Sequence, residues 1–204
     1  MEYIIDPKEI EKRSMEIISD LIGPLDNTVE EQAIIKRIIH TTGDPEYRHV
    51  IKIHPEAVAN GLEALRQGSK IYTDVRMVLT GINKKKLAQL NSSVECGIDR
   101  EDVIATALKT GETRAITAMK LFGEQLHDSV VAIGNAPTAL FQLLKLVDEG
   151  IRPKLIVGTP VGFVGAKESK ELLETYDIPY ITVAGFKGGS AVAAAAVNAL
   201  LLQL

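Results

Sequence analysis

Three consecutive stretches decide the fold: Ser129–Val147 (SVVAIGNAPTALFQLLKLV), Pro153–Tyr176 (PKLIVGTPVGFVGAKESKELLETY) and Pro179–Leu204 (PYITVAGFKGGSAVAAAAVNALLLQL). Each opens on a short apolar run (VVAI, LIV or YITV), passes through a turn of Gly and small polar residues, and continues as a longer helix-forming segment. Strands that are apolar on both faces, each followed by a helix, belong to a parallel sheet that is covered on both sides. The expected architecture is therefore α/β: a doubly wound, mostly parallel sheet with helices on both faces. Toward the N-terminus, alternation predicts strands around Val50–Ile53, Lys70–Asp74 and Val94–Ile98, with a helix over Pro55–Arg66. Two helical pieces broken at Gly111 are expected between Arg100 and Leu126.

The chain opens with a helical segment. Asp6, Pro7 and Glu9 read as an N-cap, a first-turn proline and a returning carboxylate, and Gly23-Pro24 stops that helix. A second helix starts at Thr28 with Glu31 as its capping partner, carries Ile34, Ile35, Ile38 and Ile39 as an apolar stripe, and ends at Gly43. His40 falls in its last turn.

Bulk composition narrows the function classes. The 204 residues are 46% hydrophobic and 25% charged, ordinary for one globular domain spanning residues 1–204, with no internal linker or fixed-period repeat. A net charge of -4, with basic residues scattered apart from Lys84, Lys85 and Lys86, provides no stripe for a phosphate backbone. Aromatic residues make up only 4% and Trp is absent, which also argues against a base-stacking platform, so nucleic acid is not expected as a partner. Cys96 is the single cysteine, so the chain forms no internal disulfide and suits a reducing compartment. The N-terminal segment lacks a basic start followed by an apolar run, and the Ala-rich C-terminus is short of the roughly 20 apolar residues of a membrane helix. A cytoplasmic protein without a membrane span is expected.

In a sheet of this kind ligands bind beyond the carboxyl ends of the strands. Three turns belong there: Gly134–Thr138, Gly158–Gly165 and Gly185–Ser190. Their exposed amides and the helix N-termini that follow suit carboxylates or phosphates, although isolated glycines also serve merely to allow tight turns. None of the three is a nucleotide fingerprint. GxGxxG is absent, and GFKGGS carries its Lys ahead of the glycine pair, unlike a Walker A loop.

His40 lies opposite the isoleucine stripe on a helical wheel, so it is not a core residue. Two readings stand at this point: a helix-end histidine capping terminal carbonyls, or a proton donor, since imidazole exchanges its proton near neutral pH. His54 beside Pro55 reads as a helix cap, and no histidine spacing matches a zinc site. Arg114 sits near a helix start, against the dipole, which calls for a carboxylate partner: Glu112 or another acid of the chain, or a ligand. Arg13-Ser14 is either a polar helix face or a ligand contact.

Taken together, the Arg13-Ser14 helix, Ile38–Asp44 (IIHTTGD), Thr73–Val78 (TDVRMV), Glu112-Thr113-Arg114, Val130–Phe141 (VVAIGNAPTALF), Gly158–Lys170 (GTPVGFVGAKESK) and Gly188–Leu200 (GGSAVAAAAVNAL) resemble the precorrin-8X methylmutase family, also called cobalt-precorrin-8 methylmutases, of cobalamin biosynthesis. The likeness spans nearly the whole chain. The chain departs from the family at Phe186, where an Arg is more usual, and at Thr73, where a Cys is frequent.

The resemblance implies a cofactor-free 1,5-sigmatropic shift of a methyl group from C-11 to C-12 of a tetrapyrrole, giving hydrogenobyrinate or cobyrinate. It implies His40 as the catalytic residue and a homodimer with its site near the subunit interface. Substrate contacts are expected from Arg13, Ser14, Asp74, Met77, Arg114, Asn135 and Thr138. More are expected from Pro160, Val161, Gly162 and Phe163 in the second turn, and from Lys187, Gly188, Gly189 and Ser190 in the third. No protein-bound metal is expected. A non-catalytic tetrapyrrole carrier and an isomerase or lyase of small phosphorylated molecules remain as alternatives.

Overall fold

The computed structural model describes residues 4–204. Met1, Glu2 and Tyr3, the start of the segment tested above for an export signal, lie outside the described residues. Helices α1 (Pro7–Ile22) and α2 (Val29–Thr42) lead through the short α3 (Tyr47–Val50) to strand β1 (Ile51–Ile53) and α4 (Ala57–Arg66). Next come β2 (Ile71–Thr73), α5 (Arg76–Gly81), α6 (Lys84–Gln89), β3 (Val94–Cys96), α7 (Glu101–Thr110) and α8 (Arg114–Phe122). The three strand-turn-helix units follow as β4 (Val130–Ile133) and α9 (Pro137–Asp148), β5 (Leu155–Gly158) and α10 (Ala166–Leu173), and β6 (Tyr180–Val183) and α11 (Ser190–Leu201).

Local signals account for most of these ends. Thr28 and Glu31 form the expected reciprocal capping box, and Gly43 closes α2 in the left-handed region at φ 66°. Asp6 caps α1 by accepting from the Lys8 and Glu9 amides, but the Glu9 carboxylate makes no return bond to it. The helices α5 and α6 were not anticipated: α5 starts at Val75 without a side-chain cap, whereas α6 carries a legible one in Asn83.

The six strands run in the order β1-β6-β5-β4-β2-β3, all parallel except β1, which pairs antiparallel with β6 at the edge. Strand alternation divides the interior into two cores. Val130 and Ala132 of β4 point to one core with α2, α4 and α11, and Val131 and Ile133 point to the other with α8 and α9. The sheet is thus doubly wound with helices on both faces, as expected. α11 is almost entirely buried, and its alanines let neighbours come close: a Cβ on Gly81 would stand 2.8 Å from the Ala194 Cβ.

Strand order reverses between β2 and β4, since β2 leads outward to β3 and β4 leads the opposite way to β5. The crevice between their carboxyl ends is the switch point where ligands of such folds bind. There the β4–α9 turn lies against the start of α11: a Cβ on Gly134 would sit 2.7 Å from the Ser190 Cα and 2.8 Å from the Val78 Cγ2. Gly134→Ala should therefore cost about 1–3 kcal/mol by overpacking and lower Tm by roughly 3–10 °C in thermal denaturation followed by circular dichroism; an unchanged Tm would contradict this packing.

Candidate functional site

At the switch point the Asp74 carboxylate, fully buried just beyond β2, accepts hydrogen bonds from three successive amides of the β4–α9 turn: Gly134 at 3.0 Å, Asn135 at 2.8 Å and Ala136 at 2.7 Å. Burial pushes its carboxyl up, and the three amide donors pull against that shift. The first turn does bind an anion, but the anion is the protein's own. Asp74 is thus buried beneath the crevice instead of facing it, and the backbone of Asn135 is committed to it. Thr138, the second residue of α9, meets Thr113 hydroxyl to hydroxyl at 3.3 Å.

On the β2 side, Arg114 is the first residue of α8, where Thr113 caps the helix through the Ile116 amide. Its partner is Asp99, at 3.5 Å, while Glu112 is spent on Lys120 at 2.5 Å. Arg76 at the start of α5 meets the other oxygen of Asp99 at 3.1 Å. One exposed carboxylate is therefore shared by two guanidinium groups, leaving a positive balance. Met77 projects beside them, 72% exposed.

The second and third turns interlock on the other side. Gly189 donates to the Thr159 carbonyl at 2.8 Å and Gly162 to that of Phe186 at 3.3 Å. Gly188, at φ 149°, leaves no room for a side chain, since a Cβ would meet the Thr159 carbonyl oxygen at 2.4 Å and that of Pro160 at 2.9 Å. Phe163 and Phe186 lie side by side with ring centroids 5.5 Å apart and planes tilted by 38°. Both rings remain exposed, as do Val161 and Val164. Ser190 begins α11, and neither α10 nor α11 carries a side-chain cap.

His40 joins this edge through its own helix end. Lys187 of the third turn is ion-paired with Asp44 and lies 5.3 Å over the Tyr47 ring, and the Tyr47 hydroxyl approaches the Gly188 carbonyl at 3.5 Å. The pair holds the Asp44 carboxyl below its ordinary range and the Lys187 ammonium above. At the end of α2 the Gly43 amide and the Thr42 hydroxyl both reach the Ile39 carbonyl, and the Thr41 and Thr42 hydroxyls also bond back to the Arg37 and Ile38 carbonyls within the helix. His40 does no capping and, among the described residues, its exposed ring has no protein partner. By contrast, His54 accepts from the Glu56 amide and His127 from that of Arg152, both structural roles.

Arg13 and Ser14 lie apart from this cluster. They stand on α1, where Arg13 pairs with Glu16 at 3.1 Å and the Ser14 hydroxyl donates to the Ile10 carbonyl of its own helix. Asp99, Arg76, Asp44 and Tyr47 take part here without having been singled out as site residues in the sequence.

The fold and this edge define a class: a doubly wound α/β protein with a switch-point edge that is apolar at its surface, flanked by a net-positive Arg76–Arg114–Asp99 group on one side and the Lys187–Asp44 ion pair on the other. Residues 9–203 match the precorrin-8X methylmutase family model. The chain is 46% identical to a cobalt-precorrin-8 methylmutase of Leptospira interrogans, covering 96% of this chain and 93% of that protein. It is 44% identical to a precorrin-8X methylmutase of Pseudomonas aeruginosa, covering 100% and 99%. A crystal structure of precorrin-8X methylmutase from Thermus thermophilus superposes with a TM-score of 0.91 at 36% identity, covering 96% of this chain and 95% of that one. The chain belongs to the precorrin-8X methylmutase family.

Asp74→Asn keeps one acceptor oxygen but sets an amide donor against the turn, leaving at least one buried amide unpaired. The expected cost is about 1–3 kcal/mol, a fall in Tm of roughly 3–10 °C. Wild-type stability would refute the tie.

Proposed function

We propose that this protein is an isomerase of cobalamin biosynthesis that moves a methyl group from C-11 to C-12 of precorrin-8 or its cobalt form. The observation that carries this reading is the shape of the carboxyl edge: exposed Met77, Val161, Phe163 and Phe186 lie between Arg76 and Arg114 on one flank and Lys187 on the other, with the end of α2 alongside. A flat macrocycle ringed by acetate and propionate arms has that character, apolar at its centre and anionic at its edge. Guanidinium groups orient such carboxylates through paired hydrogen bonds.

A migrating methyl group stays within one molecule, so no external nucleophile is needed. The protein contributes orientation and charge stabilisation, and His40, free of capping duty, supplies or holds a proton on the ring. A homodimer accounts for the placement of Arg13 and Ser14. Ile10, Ser14, Ile17 and Leu21 follow one another at steps of three and four along one exposed face of α1, which suits contact with a second copy. No helix among the described residues is long and apolar enough to cross a membrane, and a single domain working in the cytoplasm fits this reading.

Incubation with precorrin-8, followed by visible absorption, tests the proposal: the chromophore should change to that of the product. Binding without spectral change would mark a carrier and overturn it. His40→Ala should lower kcat by at least about 100-fold while product binding is largely kept, because its role is proton handling; unchanged turnover would remove His40 from the mechanism. Arg114→Ala should weaken binding by roughly 10- to 100-fold, as expected for loss of a charged hydrogen bond, and an unaltered affinity would contradict its carboxylate role.

A further inference from the structure

Among the described residues the bulkiest fully buried side chain is a lysine, Lys170 of α10. Its Nζ donates to the Lys187 carbonyl at 2.6 Å. The acids on and around the neighbouring elements are engaged elsewhere: Asp44 with Lys187, Glu174 with Lys52, Glu171 with Lys167, and Asp148 with the Tyr176 hydroxyl. The remaining acid of α10, Glu168, is solvent-exposed. A buried ammonium without a carboxylate is costly, and an apolar side chain of similar length would fill the same space at lower cost. Burial alone pulls the ammonium down to about 8.

What the charge achieves lies in the third turn. Residue 187 is held from both sides, its carbonyl drawn inward by Lys170 and its side chain drawn outward to Asp44. The peptide unit is planar, so an inward carbonyl at 187 directs the Gly188 N–H to the opposite side of the chain. Gly188 itself is wedged against Thr159, so the turn has little freedom to reach this orientation otherwise.

We propose that Lys170 is a positioning residue for substrate binding: its buried ammonium fixes the Lys187 carbonyl, and thereby presents the Lys187 side chain and the Gly188 amide to a carboxylate of the ligand. The role in binding rests on reading this edge as the macrocycle site; the tie to the turn does not. Loss of the proton weakens the hold, because a neutral amine is the poorer donor. The folded state disfavours this proton relative to the unfolded chain, so global stability rises with pH above about 8 while the turn loosens. Lys187 itself, held up by Asp44, stays charged through that range.

Lys170→Met separates these effects. Its Tm at neutral pH should equal or exceed that of wild type, and exchange of the Gly189 amide, which donates to the Thr159 carbonyl, should quicken by about 10-fold at fixed pH. KM for precorrin-8 should rise about 10-fold with kcat within about 3-fold of wild type, and it should be flat with pH. The wild-type KM should be constant to about pH 8 and climb above it. Wild-type exchange and wild-type KM in the variant would overturn the proposal. If the variant does not fold, Lys170→Gln takes its place, and wild-type exchange at Gly189 together with a wild-type KM overturns the proposal. A wild-type protein that converts no precorrin-8 refutes the methylmutase reading, whereas the exchange measurement still judges the Lys170 tie.

Discussion

The site depends on one interaction between segments 60 residues apart: the Asp74 carboxylate held by the amides of Gly134, Asn135 and Ala136. Parallel strands leave their helix-initiating turns standing free beyond the sheet, and at a switch point adjacent turns diverge and open a gap. Here the gap between the ends of β2 and β4 is bridged by a buried anion that saturates the donors of the β4–α9 turn. With that turn fixed, Gly134 can press against Ser190, which sets the start of α11. α11 in turn carries α2, and with it His40, against the sheet. Within this chain of contacts the step from the β4–α9 turn to α11 is the one that only a small residue allows, at Gly134.

This organisation separates support from recognition. Donors that a free turn would offer to a ligand are spent on holding the turns: Asp74 takes three, the Thr159 carbonyl takes the amide of Gly189, and the Phe186 carbonyl takes that of Gly162. Apart from the Gly188 amide, ligand-facing chemistry is left to side chains. Arg76 and Arg114 share one acid, Lys187 leans over Tyr47, and a patch of exposed Met, Val and Phe lies between them. A rim with these properties is matched to a wide, flat, polyanionic ligand better than to a phosphate gripped by backbone amides.

Much of the fold was legible because its signals are local. The capping box at Thr28, the left-handed Gly43, the isoleucine stripe of α2 and the three strand-turn-helix units each declare themselves within a few residues. The antiparallel pairing of β1 was not legible, since three residues of alternation carry no direction. α5 was hidden because its N-terminus has no polar cap. The site was legible as a location and as motifs, but pairings were not: Asp99 lies 15 residues from Arg114 and 23 from Arg76, and nothing in Glu112 revealed that Lys120 would claim it. Asp74 looked like a ligand contact because burial and its distant donors are invisible in sequence. The free ring of His40 was not legible either, since two readings of a helix-end histidine, capping or unbonded, share one sequence.

The most direct measurement is a crystal structure of the protein with the product macrocycle bound. The ring should lie on Met77, Val161, Phe163 and Phe186, with carboxylate arms on Arg114 and Lys187 and a His40 ring nitrogen within about 3.2 Å of a macrocycle atom. A macrocycle seated away from the carboxyl ends of the strands, with His40 facing solvent, would contradict the account.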